Sequence, residues 1–124
     1  MDAAIGGVKT VLVVDDDDSL RMLCRINLEL DGYQVVEAAS IDEARTALAA
    51  APIDVIVLDL HVGHGDGREL LASLGDSRPP VALFTGSEAI SPDLGKLADA
   101  LLVKPLGIER LNETVGRLIG KPGG

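Results

Sequence analysis

Aromatic side chains are nearly missing from this 124-residue chain: Tyr33 and Phe84 are the two it has, and there is no tryptophan. Its core must therefore be built from Leu, Val, Ile and Ala. With 47% hydrophobic residues the chain has enough of these to fold as one domain without staples, and too many to be disordered. There is a single cysteine, Cys24, which excludes an internal disulfide framework and fits a reducing cytoplasm. Basic residues are few, 11 Lys and Arg against 20 Asp and Glu, so the net charge is −9. That balance argues against nucleic acid or an anionic membrane as a direct partner. No apolar run reaches membrane-spanning length, because Pro52 and Asp54 interrupt the longest one. The first residues lack the basic region and apolar stretch of a signal peptide. No Gly-rich nucleotide-binding loop and no internal repeat is found.

The most informative stretch runs from Ile53 to Leu60. Four aliphatic residues, Val55 to Leu58, lie between Asp54 and Asp59. Such a run suits a parallel strand buried on both faces, with Asp59 at its carboxyl end. In open α/β sheets that edge is where ligands and chemistry gather.

Around this stretch, strands and helices are expected to alternate. Residues 1–8 read as a lead-in, and Thr10 to Val14 as a strand running into four acids, Asp15 to Asp18. A helix is expected from about Ser19 to Asp31, stopped by Gly32. Leu20, Leu23, Cys24 and Leu28 form its expected core stripe. Met22, Ile26 and Leu30 form a second stripe, beyond what one sheet face can cover, and suggest partner docking. Gln34 to Ala39 is the next strand. Ser40 to Glu43 is a capping box that opens a helix to about Ala50. After the Asp59 strand, a loop carries His61 and His64, and Asp66 with Gly67 opens a short helix. Pro80 to Phe84 is a strand ending at Thr85 and Gly86. Ser91, Pro92 and Asp93 signal another helix start. Ala100 to Val103 reads as a fifth strand, stopped by Lys104 and Pro105, and the last helix spans about Ile108 to Ile119. Five strands alternating with five helices define a doubly wound α/β sandwich with a parallel sheet.

In that fold Asp15, Asp16, Asp59, Thr85 and Lys104 meet at one edge. Clustered carboxylates repel each other and call for a cation. Oxygen ligands beside a phosphate favour Mg²⁺. A hydroxyl and a lysine opposite it suit phosphoryl oxygens, and one carboxylate can act as nucleophile, forming an aspartyl phosphate.

Together Val11 to Asp17, Arg21, Gly32 with Tyr33, Asp59 with Leu60, Asp66 with Gly67, Thr85 and Lys104 with Pro105 resemble a response-regulator receiver domain of bacterial two-component signalling. The resemblance covers residues 9–119 and leaves 120–124 as a tail. It implies a flavodoxin-like fold with strand order 2-1-3-4-5. It also implies Asp59 as phosphoacceptor, Asp15 and Asp16 as the acidic pair around Mg²⁺, and the backbone carbonyl of His61 as a further metal ligand. Thr85 and Lys104 would hold phosphoryl oxygens, and the Lys104–Pro105 peptide would be cis. The implied donor is a histidine kinase or histidine phosphotransfer protein. The implied output is altered binding to a downstream protein, and the implied place is the cytoplasm. Such a domain catalyses its own phosphorylation from a phosphodonor and its own slow dephosphorylation.

The chain departs from the family pattern in four places. Val62 and Gly63 replace a usual Met-Pro pair, so that loop is expected to be flexible. Leu101 stands where a Tyr or Phe usually rotates inward, so the switching response is expected to fall on residues 86–97 instead. The stretch from Thr85 to Lys104 is short. Four acids follow the first strand where two or three are customary. Phe84, Thr85 and Gly86 together with Leu101 resemble a subset of stand-alone receivers; a receiver cut from a hybrid histidine kinase is the alternative context. Two side chains, His61 and Ser87, lie where they could tune the phosphoryl lifetime. Cys24 reads as a small buried apolar residue.

Three other functions compete. A haloacid-dehalogenase-type phosphatase would use Asp15 as nucleophile and Asp17 as general acid, but the chain is short for that fold and Asp59 goes unexplained. A flavin carrier would need stacking aromatics that are lacking. A binding module that is never phosphorylated needs none of the five edge residues.

Overall fold

The structure is a computed structural model that describes residues 7–63, 65–86, 94–104 and 107–120. The elements run β1 (Thr10–Val14), α1 (Asp18–Leu30), β2 (Gln34–Ala38), α2 (Ile41–Ala50), β3 (Val55–Asp59), β4 (His61–Val62), β5 (Gly65–Asp66), α3 (Gly67–Leu74), β6 (Val81–Gly86), α4 (Leu94–Leu97), β7 (Ala100–Lys104) and α5 (Ile108–Ile119). Five strands form one parallel sheet in the order β2-β1-β3-β6-β7. Numbered within that sheet alone, the order is 2-1-3-4-5, as the resemblance implied. The expected helix start at Ser91, the peptide to Pro105, His64, Ser87 and most of the lead-in and tail lie outside the described residues.

The sheet is covered on both faces. Leu12, Val14, Ile56, Leu58, Val81 and Leu83 point to one side, against Ala44 of α2 and Leu70 and Leu71 of α3. Val11, Val13, Val55, Val57, Ala82 and Phe84 point to the other, against Cys24 and Leu28 of α1 and Leu111, Val115 and Leu118 of α5. Every residue of β3 is buried, which is why its sequence is continuously aliphatic rather than alternating. Burying each such side chain contributes about 1.5–3 kcal/mol before chain entropy is charged against it. Phe84 is the largest fully buried side chain.

Acids at the amino edge of the sheet lock the strand register. The Thr10 amide donates to Asp54 Oδ2 at 2.8 Å, and the Asp54 amide returns a bond to the Thr10 carbonyl at 2.8 Å. The Val81 amide donates to Asp99 Oδ2 at 2.8 Å. Parallel pairing with right-handed crossovers then brings the carboxyl ends of β1, β3, β6 and β7 to the opposite edge.

Three local expectations need correction. Helix α1 starts at Asp18, not Ser19, because Asp17 is its N-cap and accepts from the Ser19 and Leu20 amides at 3.0 and 3.1 Å. Leu23 is 45% exposed and does not belong to the core stripe. It lies three residues before Ile26 and seven before Leu30, which puts it on their exposed face. The stretch after Asp59 is not a plain loop: β4 and β5 form a two-residue antiparallel hairpin, His61 opposite Asp66 and Val62 opposite Gly65. Gly63, at φ 60°, supplies the left-handed residue of its turn.

Candidate functional site

Asp59 closes β3 and is 5% exposed. Its neighbours in the fold set its geometry. The Lys104 ammonium, at the end of β7, donates to Asp59 Oδ2 at 2.8 Å. The His61 amide donates to Oδ1 at 3.2 Å. Burial pulls the Lys104 ammonium down, but the hydrogen bond to Asp59 and the charges of Asp59, Asp15 and Asp16 outweigh it and hold the ammonium above its ordinary value.

Asp15 sits opposite, 2% exposed. Almost every polar atom it has is fixed by the chain. Its amide donates to the Ala38 carbonyl of β2 at 3.0 Å. Its carbonyl accepts from Arg21 Nη1 at 2.7 Å. Its Oδ1 accepts from the Asp17 amide at 2.9 Å. Its Oδ2 is buried and has no hydrogen-bond partner among the described residues. Burial pushes this carboxyl up to about 6, with the Asp17 amide opposing and the Asp59 charge adding to the rise.

Asp16 is exposed, and one carboxylate oxygen from each of Asp15, Asp16 and Asp59 lies within 4.8 Å of the other two. An acceptor-only cluster with a buried unpaired oxygen is a poor resting arrangement for an apo carboxylate, and a good one for a hard cation. Thr85, 1% exposed, reaches the same edge at the end of β6, where its hydroxyl donates to the Gly86 carbonyl at 3.1 Å. In the sheet register Phe84 faces Asp59 and Gly86 faces Lys104, so Thr85 stands between the two columns.

All five expected edge residues thus come to one end of the sheet. His61 joins them through its backbone, while its side chain is exposed. Two contributors have duties that the sequence did not show. Gly67 is one: a Cβ there would lie 2.7 Å from the Asp59 carbonyl and 3.2 Å from Leu58 Cγ. The Gly67 amide also donates to the Leu60 carbonyl at 2.7 Å, so this glycine lets the start of α3 close on the end of β3. Glu37 of β2 is the other, tied to Arg21 Nε at 3.0 Å and Arg25 Nε at 2.8 Å. The spacing Asp66-Gly67 was a usable signal for the first; nothing local marked the second.

A doubly wound parallel sheet with three carboxylates, a threonine and a lysine at its carboxyl edge defines a flavodoxin-like domain with an acidic, lysine-capped pocket. The response regulator receiver domain family model matches residues 11–116, and the chain belongs to that family. Among curated proteins it is similar to the KDP operon transcriptional regulatory protein KdpE of Escherichia coli K12, 35% identical over 105 residues. That match covers 82% of this chain and 47% of the relative, so the chain spans about half the length of the curated proteins it matches. Among solved structures it resembles the receiver domain of Francisella response regulator 1452, with TM-score 0.80 and 28% identity over 90% of this chain and 96% of that one. It also resembles response regulator TrrA of Thermotoga maritima in complex with Mg²⁺-BeF, with TM-score 0.81 and 27% identity over 90% and 99% of the two chains.

Proposed function

We propose that this receiver domain, residues 9–119, accepts a phosphoryl group on Asp59 from a phosphohistidine of a histidine kinase or phosphotransfer protein. The modified domain then changes its binding to a downstream protein. The observation that carries the reading is the buried Asp59 carboxylate, held by Lys104 at 2.8 Å and with carboxylate oxygens of Asp15 and Asp16 within 4.8 Å.

The residues present fit Mg²⁺. Asp15, Asp16 and Asp59 offer oxygens only, and Asp15 Oδ2 has no hydrogen-bond partner among the described residues. Receiver domains typically bind Mg²⁺ at such an acidic pocket, and the TrrA structure is an Mg²⁺-BeF complex. Here Asp15, Asp16, Asp59 and the His61 carbonyl would hold the ion, whose chemistry is to neutralise charge between the carboxylates and the phosphoryl oxygens.

The chain's own groups do the rest. An Asp59 carboxylate oxygen attacks phosphorus, the P–N bond of phosphohistidine breaks, and its electron pair returns to the imidazole. Lys104, kept charged, balances the phosphoryl oxygens, and the Thr85 hydroxyl turns from the Gly86 carbonyl to donate to one of them. The His61 amide fixes the carboxylate's rotamer. Asp17 is committed to capping α1, which leaves it no general-acid role of the phosphatase kind. Donor docking falls to the exposed stripe Met22, Leu23, Ile26 and Leu30 of α1. The single cysteine and the charge suit a cytoplasmic setting.

The test is labelling with acetyl phosphate and Mg²⁺, followed by mapping of the modified residue. Base-labile phosphate on Asp59, absent from Asp59→Asn, is expected. Phosphate on Asp15 would overturn the reading.

A further inference from the structure

We propose that Arg21 is the positioning residue of the cation pocket: it holds the Asp15 backbone so that the free carboxylate oxygen points at the ion. This rests on the reading above. Three different nitrogens of one guanidinium serve three elements. Nη1 donates to the Asp15 carbonyl at 2.7 Å, Nη2 to Asp18 Oδ1 at 2.7 Å, and Nε to Glu37 Oε1 at 3.0 Å. The acidic loop, the first turn of α1 and strand β2 are thereby tied through a side chain that is only 14% exposed.

The other bonds that fix Asp15 are made by backbone amides, its own to Ala38 and that of Asp17 to its Oδ1. Among these anchors Arg21 is the one side chain, hence the one that substitution can remove. Its Asp18 partner is 86% exposed, and an exposed pair counts for little. The working contacts are therefore the Asp15 carbonyl and Glu37. Glu37 is in turn braced by Arg25 at 2.8 Å, so the guanidinium cannot swing toward the pocket without breaking both. A lysine cannot replace it, because one ammonium on a flexible stem does not reach three partners in different directions. The arrangement also sorts the run of four acids. Asp15 and Asp16 each bring a carboxylate oxygen within 4.8 Å of Asp59, Asp17 caps the helix, and Asp18 is drawn back along the helix by Arg21.

Charge and positioning predict opposite signs. Arg21 is a cation near a cation site, so on Coulomb grounds its removal should tighten Mg²⁺ binding. If it acts by holding Asp15, removal should weaken it, by about tenfold as for other groups that orient metal ligands. Mg²⁺ affinity is measured by calorimetry on the wild type, Arg21→Gln and Arg21→Lys, with thermal melts in parallel. No Mg²⁺ binding by the wild type would sink the proposed function itself. With wild-type binding intact, weaker affinity in Arg21→Gln and also in Arg21→Lys, which keeps the charge but not the three-way fork, supports the positioning role. Tighter binding in Arg21→Gln overturns it. So does unchanged affinity in the folded variants with only a lowered melting temperature. Should Arg21→Gln fail to fold, Arg21→Lys decides alone: weaker affinity supports the role and wild-type affinity overturns it.

Discussion

Asp15 shows how one residue can carry both the cost and the use of a site. Its carboxyl is raised to about 6 from 3.8, chiefly by burial. The folded state therefore holds a proton that the unfolded chain releases at lower pH. By linkage this contributes stability that is fully present below about pH 4 and lost as pH rises through 6. The amount is on the order of 2–3 kcal/mol. Melts in EDTA from pH 4.5 to 7 are expected to fall more steeply for the wild type than for Asp15→Asn; parallel curves would contradict the assignment. A second residue-scale outcome concerns two glycines that look alike in sequence. Gly67→Ala puts a Cβ 2.7 Å from the Asp59 carbonyl, so it should cost about 1–3 kcal/mol by overpacking and also slow phosphoryl uptake. In Gly116→Ala the nearest atom is Tyr33 Oη at 3.5 Å, an ordinary contact, and exchanging a helical glycine should add about 0.5–1 kcal/mol. Chemical denaturation of both variants tests the opposite signs. Residue types and strand ends made Asp15, Asp16, Asp59, Thr85 and Lys104 legible from sequence. The duties of Gly67 and Glu37 were not, because each depends on a partner on another element.

At the scale of elements, α1 carries the clearest unspent feature. Met22, Leu23, Ile26 and Leu30 are 49%, 45%, 41% and 81% exposed on one helix. The helical period revealed two apolar stripes but misassigned Leu23. A hydrophobic residue between two stripes can belong to either, and packing against the sheet decides. The hairpin β4–β5 was likewise invisible, since four residues paired two by two carry no alternation to detect. If the α1 stripe docks the donor, Met22→Glu with Ile26→Glu should lower phosphotransfer from a phosphohistidine partner by about tenfold. Uptake from acetyl phosphate, which needs no docking surface, should be unchanged. Stability should move by less than about 0.5 kcal/mol per exposed position. An equal fall with both donors would place the stripe in the fold rather than in recognition.

For the whole molecule, the doubly wound parallel sheet followed from a simple regularity: aliphatic runs of strand length alternate with amphipathic runs of helix length, and parallel connections have one hand, while the strand order came from the family resemblance. What that regularity could not supply is the balance of charge at the finished edge. The fold brings one carboxylate oxygen from each of Asp15, Asp16 and Asp59 within 4.8 Å, and among the described residues Lys104 is the one cation side chain bonded to them. The apo domain is thus held together against its own site, and its apolar core supplies the difference. A cation that binds only the folded state returns that energy by mass action, about 2.7 kcal/mol at a hundredfold excess over its Kd. For a domain of this size the shift is on the order of 10 °C in melting temperature. The gain should be largest above pH 6, where Asp15 is ionised, and should shrink toward pH 4.5, where the proton already occupies the place of the ion. Asp16→Ala, an exposed change with little effect on the apo domain, should lose most of the gain. Superimposed melts with and without millimolar Mg²⁺ at pH 7.5 would show that the carboxylate edge is not a cation site.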